Sequence, residues 1–196
     1  MFDEAEDRDR MARIARGDQE AFEALYRSYE RALGQFLFRM CYDKSTAEDA
    51  LQEVFMRVWR AAPRWRGESK VSTFLFQVAK NAGLDAREKT LRERARLGGS
   101  GGAGEDDESR AAAPERADES AGPVRTLVGK ELRAVVRRAV EALPEDQRAV
   151  VELAQTEGFT YREIAEILQV PVGTVKSRMA AAAESLRWKL ERHVRE

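Results

Sequence analysis

The chain has 196 residues, which is enough for one domain of moderate size or for two small ones. Hydrophobic residues make up 43% and charged residues 35%, with a net charge of −1, a composition typical of a water-soluble, helix-rich protein. Apolar runs fall short of the roughly 18 residues that indicate a membrane span. The acidic N-terminus lacks the basic and apolar regions of a signal peptide. We therefore expect a cytoplasmic protein without a membrane span.

Cys41 and His193 are the only cysteine and the only histidine. A single cysteine forms no internal disulfide, and one cysteine with one distant histidine is too few for a structural zinc site. Cys41 follows Phe38, Arg39 and Met40, a setting typical of a small buried hydrophobic residue. We predict no metal, no cofactor and no catalytic residues.

The near-neutral total charge conceals two segments of opposite sign. Between Arg57 and Arg96, eleven Lys and Arg stand against four Asp and Glu, a balance of about +7. Between Gly98 and Pro123 two arginines stand against seven acids, about −5. The basic segment favours a nucleic-acid partner.

Helical periodicity dominates the first half of the chain. Asp18 is a predicted N-cap, followed by apolar residues at spacings of three and four up to Met40. Ser45-Thr46-Ala47-Glu48 is predicted as a capping box that begins a second helix, which Pro63 ends. The expected buried stripe of that helix is Ala47, Leu51, Val54, Phe55 and Val58.

A third helix is predicted from about Val71 to Leu97, after a loop that contains Gly67. Its expected inward-facing residues are Phe74, Leu75, Val78, Ala79 and Leu84. Residues 98–123 are rich in glycine and acids, and this composition predicts a flexible linker. A phosphate-binding loop is not favoured there, because no strand precedes the glycines and no Gly-Lys-Ser/Thr follows them.

The second half begins near Val124 and predicts a helix-turn-helix. Pro144 opens one helix, and Thr160-Tyr161-Arg162-Glu163 is a predicted capping box for a short helix. Pro171 then precedes a longer polar helix. This order is typical of a helix-turn-helix whose second helix enters the DNA major groove, although periodicity alone leaves a plain helical hairpin open.

Two sets of motifs give these halves a family resemblance. Asp49-x-x-Gln52-Glu53-x-Phe55 resembles a signature of region 2 of bacterial sigma factors of the extracytoplasmic-function (ECF) class. Leu143-Pro144, Tyr161-Arg162-Glu163-Ile164-Ala165 and Val172 to Arg178 resemble region 4 of the same class. The resemblance covers about Gly17 to Leu97 and Leu127 to Leu190.

The resemblance implies an all-α fold of two small helical domains joined by the acidic linker. The expected boundaries are an acidic N-terminal tail at 1–16, region 2 at 17–97, the linker at 98–123 and region 4 at 124–196. Asp49, Gln52 and Glu53 are implied to dock onto the clamp helices of the largest subunit of core RNA polymerase. An ordinary solvated helix face stays open as the alternative.

The segment from Arg64 to Arg87 resembles the part of region 2 that melts the promoter and pockets a flipped base of the −10 element. Trp65 is the implied stacking platform or pocket wall, since aromatic faces and cations suit unstacked bases. Lys80 and Asn81 are implied at base edges. The full expected −10 set is Arg64, Trp65, Arg66, Ser69, Lys70, Thr73, Lys80, Asn81 and Arg87. Taken singly, a core role for Trp65 and a solvated face for the arginines are equally open.

Region 4 implies recognition of a −35 element. The expected −35 residues are Tyr161, Thr174, Lys176, Ser177 and Arg178. The recognition helix departs from the family at Ala181 and Ala183, where members usually carry arginines. We expect this change to weaken the −35 contact, or to mark a domain that serves another partner.

The implied partners are core RNA polymerase, promoter DNA and an anti-sigma factor or other regulator, with the factor associated with the nucleoid through polymerase. The acidic run Glu105 to Glu108 either mimics nucleic acid in basic channels or only keeps the linker soluble. Two rival functions stay open. One is a helix-turn-helix regulator that acts without polymerase, and the other, much less favoured, is an enzyme.

Overall fold

The computed structural model describes residues 2–96, 134–156 and 158–195, and within these ranges it contains helices and no strands. The first domain comprises α1 (Glu4–Ile14), α2 (Gln19–Cys41), α3 (Lys44–Ala61), a one-turn 3₁₀ helix (Ala62–Arg64) and α4 (Val71–Arg96). The second comprises α5 (134–141), α6 (Glu145–Ala154), α7 (Tyr161–Leu168) and α8 (Val172–Arg195). The all-α prediction is confirmed. The predicted linker at 98–123 and the predicted start of the second domain at 124 lie outside the described residues.

The core of the first domain lies between α2, α3 and α4. Of the predicted stripe on α3, four residues are buried and Leu51 is half-buried. On α4, Leu75 and Ala79 are fully buried, whereas the predicted Phe74, Val78 and Leu84 pack at the edge of the core. Phe76, which the periodicity did not single out, is fully buried. The apolar face of α4 is therefore rotated from the predicted one.

The acidic N-terminal residues form a helix that is docked on the rest of the domain. Asp3 caps α1, and Met11 and Ile14 are buried beneath it. Asp7 is also buried, where it accepts a hydrogen bond from the Tyr29 hydroxyl at 2.5 Å. Acids in a first helical turn are favoured by the helix dipole, so the acidic composition suits a helix start.

The start of α3 differs from the prediction. The N-cap is Asp43 and not Ser45: its carboxylate accepts hydrogen bonds from the Thr46 amide at 2.7 Å and the Thr46 hydroxyl at 2.5 Å. Tyr42 ends α2 in the left-handed region with φ of 55°. The predicted capping box at Ser45 is wrong because α2 and α3 are joined by only two residues, which places the cap two positions earlier.

This cap yields a testable difference between two neighbouring residues. Asp43→Ala should lower the free energy of unfolding by about 1–2 kcal/mol, because it leaves amides of the first turn without an acceptor. Ser45→Ala should change it by less than about 0.5 kcal/mol, as expected for an exposed position away from any cap. Urea denaturation followed by circular dichroism measures both. Equal losses in the two variants would contradict the assignment of the cap.

The second domain is a helix-turn-helix supported by α5 and α6. The capping box at its start is confirmed: Thr160 and Glu163 exchange backbone and side-chain hydrogen bonds of 2.7 and 3.3 Å. Gln169 ends α7 in the left-handed region with φ of 57°, which turns the chain directly into α8. The buried residues between these helices include Val150, Leu153, Ile164, Ile167 and Val175.

The two domains pack against each other through α4 and α7 and through α2 and α6. The rings of Phe76 and Phe159 meet edge-to-face with centroids 4.8 Å apart, so one apolar core runs across the boundary. Three ion pairs flank this contact, and each joins a cation of the first domain to a glutamate of the second. They are Arg39–Glu152 at 2.5 Å, Lys70–Glu163 at 2.7 Å and Arg87–Glu145 at 3.2 Å. Among the described helices, none has both the length and the apolarity to cross a membrane.

Candidate nucleic-acid interface

A cleft of about 630 Å³ opens where α3 ends, the 3₁₀ turn passes and α4 begins. Its charged walls are four arginines and one glutamate: Arg57, Arg60, Arg64, Arg66 and Glu68. Trp65, Ser69 and Phe74 line it as well. Cations beside aromatic rings are the combination that binds single-stranded nucleic acid, and the volume lies within the range of about 300–1,000 Å³ typical of ligand sites.

Trp65 is a fixed wall of this cleft and not a freely standing ring. Its centroid lies 6.1 Å from that of Phe74, with the planes tilted by 40°. The Arg8 guanidinium sits 5.6 Å from the Trp65 centroid. Because both neighbours restrict the indole, the geometry favours the pocket wall over the open stacking platform, the two options left by the sequence.

The loop between Trp65 and Val71 is held from outside by α1. Arg8 donates hydrogen bonds to the carbonyl oxygens of Gly67 at 3.2 Å and Ser69 at 3.0 Å. Glu4 accepts a hydrogen bond from the Val71 amide at 3.0 Å. Sequence reasoning missed Arg8 and Glu4, because contacts across about 60 residues leave no mark on local periodicity.

The predicted −10 residues divide into two groups. Arg64, Trp65, Arg66 and Ser69 line the cleft. The others lie along α4, where the second domain covers most of them. Lys70 pairs with Glu163, and Arg87 pairs with Glu145. Asn81 is exposed.

Thr73 is only 1% exposed, so it cannot touch DNA in this arrangement. It lies midway between Lys70 and Phe76 at spacings of three, on the face of α4 that both residues direct at the second domain. Lys80 continues this face and lines a smaller cleft of about 200 Å³ together with Leu168 and Arg178. The predicted −10 face of α4 and the domain interface are thus the same surface.

Charge strengthens one of these interface contacts. Burial works to raise the pKa of Glu163, but Lys70 and the Thr160 cap outweigh it, and the pKa is lowered. The hydrogen bond to Glu163 in turn raises the pKa of Lys70. The pair is therefore fully ionised at neutral pH.

The predicted polymerase-docking residues lie together on α3. Asp49 and Gln52 are exposed, and Glu53 is half-buried with its carboxylate 2.8 Å from Arg57. Arg57 also pairs with Asp85 of α4 at 3.0 Å, so this face is braced from behind. Met56 lies one turn beyond Gln52 and is 49% exposed. Sequence reasoning missed Met56 because it considered polar ends and assigned apolar residues to the core.

The predicted −35 residues surround the start of α8. Lys176, Ser177 and Tyr161 are exposed, and Thr174 is half-buried. Arg178 is half-buried because it pairs with Asp146 of α6 at 2.5 Å.

The alanine run on the same helix has an uneven exposure. Ala182 is fully buried against Val140 and Leu143, whereas Ala183 is exposed and Ala181 lies between these extremes. Only Ala182 is required to be small by packing.

Comparison with known proteins decides the family. Residues 25–93 match the model of sigma-70 region 2, and residues 133–186 match that of sigma-70 region 4. The chain is 30% identical over its full length to all of the RNA polymerase sigma-H factor of Pseudomonas aeruginosa. It is 31% identical over its full length to all of the ECF RNA polymerase sigma-E factor of Escherichia coli. The chain belongs to the ECF subfamily of sigma factors.

Solved structures share the fold of this sigma factor. A structure of CnrH in complex with the cytosolic domain of CnrY matches 95% of this chain and 97% of its own with a TM-score of 0.68 at 22% identity. The sigma factor RpoE in complex with the anti-sigma factor NepR from Bartonella quintana matches 87% and 96% with a TM-score of 0.65 at 23% identity.

Two further groups bear on the chemistry of this sigma factor. Burial raises the pKa of Cys41 to about 11, which keeps the thiol protonated and unreactive at neutral pH. No group of three or more His, Cys, Asp and Glu side chains suited to a metal ion occurs in the part of the chain that the structure describes.

Glu152 carries a buried carboxyl at the domain interface. Burial raises its pKa to about 7, while its partner Arg39 opposes the shift. The other charged groups that act on it are Arg148, which favours the ionised form, and Glu141, which disfavours it. The folded chain therefore holds this proton up to about pH 7, whereas an exposed glutamate releases it near pH 4.5.

A pH-dependent stability follows for this sigma factor. Between about pH 4.5 and 7 the folded state binds the extra proton, so the free energy of unfolding falls as the pH rises, by up to about 1.4 kcal/mol per unit. Glu152→Gln should flatten this slope, and Glu184→Gln, at an exposed position, should not. Denaturation at several pH values measures it; His193 is present in every variant and cancels in the comparison. Equal slopes in wild type and Glu152→Gln would contradict the buried proton.

Proposed function

We propose that this chain is an ECF sigma factor that binds core RNA polymerase, melts the −10 region of a promoter and reads a −35 element. The observation that carries the proposal is the arginine-walled cleft beside Trp65, which has the charge, the aromatic wall and the size for an unpaired base. A factor that opens DNA without ATP has to capture bases as they unstack. As a partner of polymerase, it acts at the nucleoid in the cytoplasm.

The docking surface for polymerase is proposed on α3, at Asp49, Gln52 and Glu53. We add Met56, because an exposed apolar side chain among polar ones can be desolvated at the centre of an interface, where contacts contribute most. The Arg57 bridge to Glu53 and Asp85 holds α3 against α4, so the polymerase face and the cleft keep a fixed relation.

The −35 contact is proposed at Tyr161, Thr174, Lys176, Ser177 and Arg178. Arg178 has to leave Asp146 before it meets DNA, and the exposed ion pair is weak enough to allow it. Each domain alone has few contacts, but joining them raises the effective concentration of the second site once the first is bound.

The proposal requires the two domains to separate on DNA. Lys70 and Arg87 are paired with glutamates of the second domain, and Thr73 is buried. Their carboxylate partners occupy places that phosphates would take. A protein regulator that favours one arrangement over the other is a further proposed partner, in line with the complexes named for CnrH with CnrY and RpoE with NepR.

Run-off transcription with core polymerase and a promoter library tests the function. We expect transcripts from a subset of promoters and co-purification with core polymerase. Tight binding of duplex DNA without polymerase, and no transcript, would instead favour a helix-turn-helix regulator. Trp65→Ala should reduce transcription from duplex promoters by about tenfold, given roughly 1–3 kcal/mol for a contact between a base and an aromatic ring. On a pre-melted promoter a smaller loss indicates a role in melting, and an equal loss indicates base capture alone.

The required domain separation is tested on the free protein. Glu145→Ala removes the partner of Arg87 from an exposed position, and Phe159→Ala removes the ring on Phe76. Both should tighten binding of single-stranded promoter DNA several-fold, because apparent affinity scales with the fraction of molecules whose site is open. Fluorescence anisotropy measures the affinity, with Glu184→Ala as the control for loss of an acid. An unchanged affinity in both variants would contradict a competing domain contact.

A further inference from the structure

We propose that Arg8 and Glu4 of α1 are positioning residues for the loop that captures the −10 base. The inference rests on the function proposed for the cleft and extends its machinery to the first helix. None of the residues implied by the family resemblance lies on α1, and neither side chain lines the cleft.

Arg8 bridges the loop at three points. Nη1 donates to the Gly67 carbonyl at 3.2 Å, Nη2 donates to the Ser69 carbonyl at 3.0 Å, and the guanidinium lies over the Trp65 ring. A planar, forked group with a delocalised charge can do all three at once, and an ammonium group cannot. The cleft wall and the loop that follows it are therefore fixed to the same side chain.

Glu4 joins this bridge to the start of α4. Its carboxylate accepts the Val71 amide at 3.0 and 3.3 Å through its two oxygens, and it lies 2.6 Å from Nε of Arg8. Lys70, the residue before α4, has no side-chain acceptor for this amide. Glu4 thus acts as an N-cap supplied by another helix, at the end where the helix dipole favours a negative charge.

Gly67 provides the space for this arrangement. Its φ of +71° is unfavourable for other residues, and a Cβ there would lie 2.7 Å from Nη1 of Arg8. The backbone turn and the close approach of the guanidinium both require glycine at this position. The Gly67 position and Arg8 therefore act as a matched pair.

The physical effect is preorganisation. A loop that is already held before DNA arrives does not lose its conformational entropy on binding, and more of the binding free energy appears as affinity. Without Arg8, only a fraction of molecules would have the cleft wall in place, and the apparent affinity would fall in proportion.

Arg8 can be changed without removing buried groups, because its side chain is 45% exposed. Arg27 provides a matched control: it is an exposed arginine that forms the same kind of ion pair with a glutamate four residues away, and it makes no contact with the loop. Arg8→Lys retains the charge but not the fork.

Two measurements on the full chain test the inference. The first is amide hydrogen exchange of residues 66–71, which should be faster in Arg8→Ala and Arg8→Lys and unchanged in Arg27→Ala. The second is the affinity of holoenzyme for a fork-junction DNA that carries a promoter selected from the run-off library. It should fall about fivefold in Arg8→Ala, as expected if the loop is in place in about one molecule in five. Affinity for core polymerase should not change.

The outcomes separate this inference from the function on which it rests. Exchange rates equal to wild type in Arg8→Ala would overturn the bridge, whatever the DNA result. Faster exchange with unchanged DNA affinity, or full rescue of both by Arg8→Lys, would overturn the positioning role while the proposed function stands. If wild-type holoenzyme selects no promoter, the function fails and the base-capture role fails with it, although exchange still reports on the loop.

Discussion

The ring of Phe76 is the contact on which both the fold and its proposed use depend. It is fully buried, and its centroid lies 5.4 Å from that of Phe36, 6.3 Å from that of Phe2 and 4.8 Å from that of Phe159. Helix α2, the N-terminus and the second domain therefore meet on one side chain of α4. Two turns toward the N-terminus, the same face carries Lys70, and one turn toward the C-terminus it carries Lys80. A surface predicted for DNA is in this way also the surface that joins the domains, and the two uses exclude each other.

Magnitudes indicate that the domain contact is reversible. The Lys70–Glu163 and Arg87–Glu145 pairs are partly exposed, and such pairs contribute about 0–1 kcal/mol each. An edge-to-face aromatic pair adds about 0.5–1.5 kcal/mol beyond the area that it buries. The buried Arg39–Glu152 pair contributes little net stability, since the cost of desolvating the carboxylate is high enough to raise its pKa. Several phosphate contacts, strengthened by polymerase binding at α3, can therefore displace the second domain. Salt weakens both sides of this competition, because ion pairs hold the closed form as well as the DNA.

What the sequence predicts and what it misses differ in range along the chain. The Thr160 capping box and the stripe on α3 depend on residues within one or two turns, so periodicity and capping chemistry predict them. The cap at Ser45 was misplaced because Asp43 ends a loop of only two residues and serves α3 from there. Phe76 was missed because α4 is buried on a wider face than one stripe, with α2 on one side and Phe159 on the other. Arg8 and Glu4 were missed for a related reason: the acids of α1 look like a solvated tail until the loop 60 residues away is folded against them. The −10 and −35 assignments came from family motifs and stay predictions.

These contacts also suggest an unequal division of work between the domains. In the first domain the candidate cleft is supported by α1, by the Phe74 ring and by the Arg57 bridge, so its geometry exists before DNA binds. In the second domain Arg178 is tied to Asp146, and Ala181 and Ala183 stand where the family usually carries arginines. Packing requires a small residue only at Ala182, so the missing cations at Ala181 and Ala183 are not imposed by the fold. A preformed −10 site beside a −35 helix with few cations favours promoter selection through the melted strand. The second domain then adds affinity mainly because the linker keeps it close, and its larger role is to cover α4 when no promoter is bound.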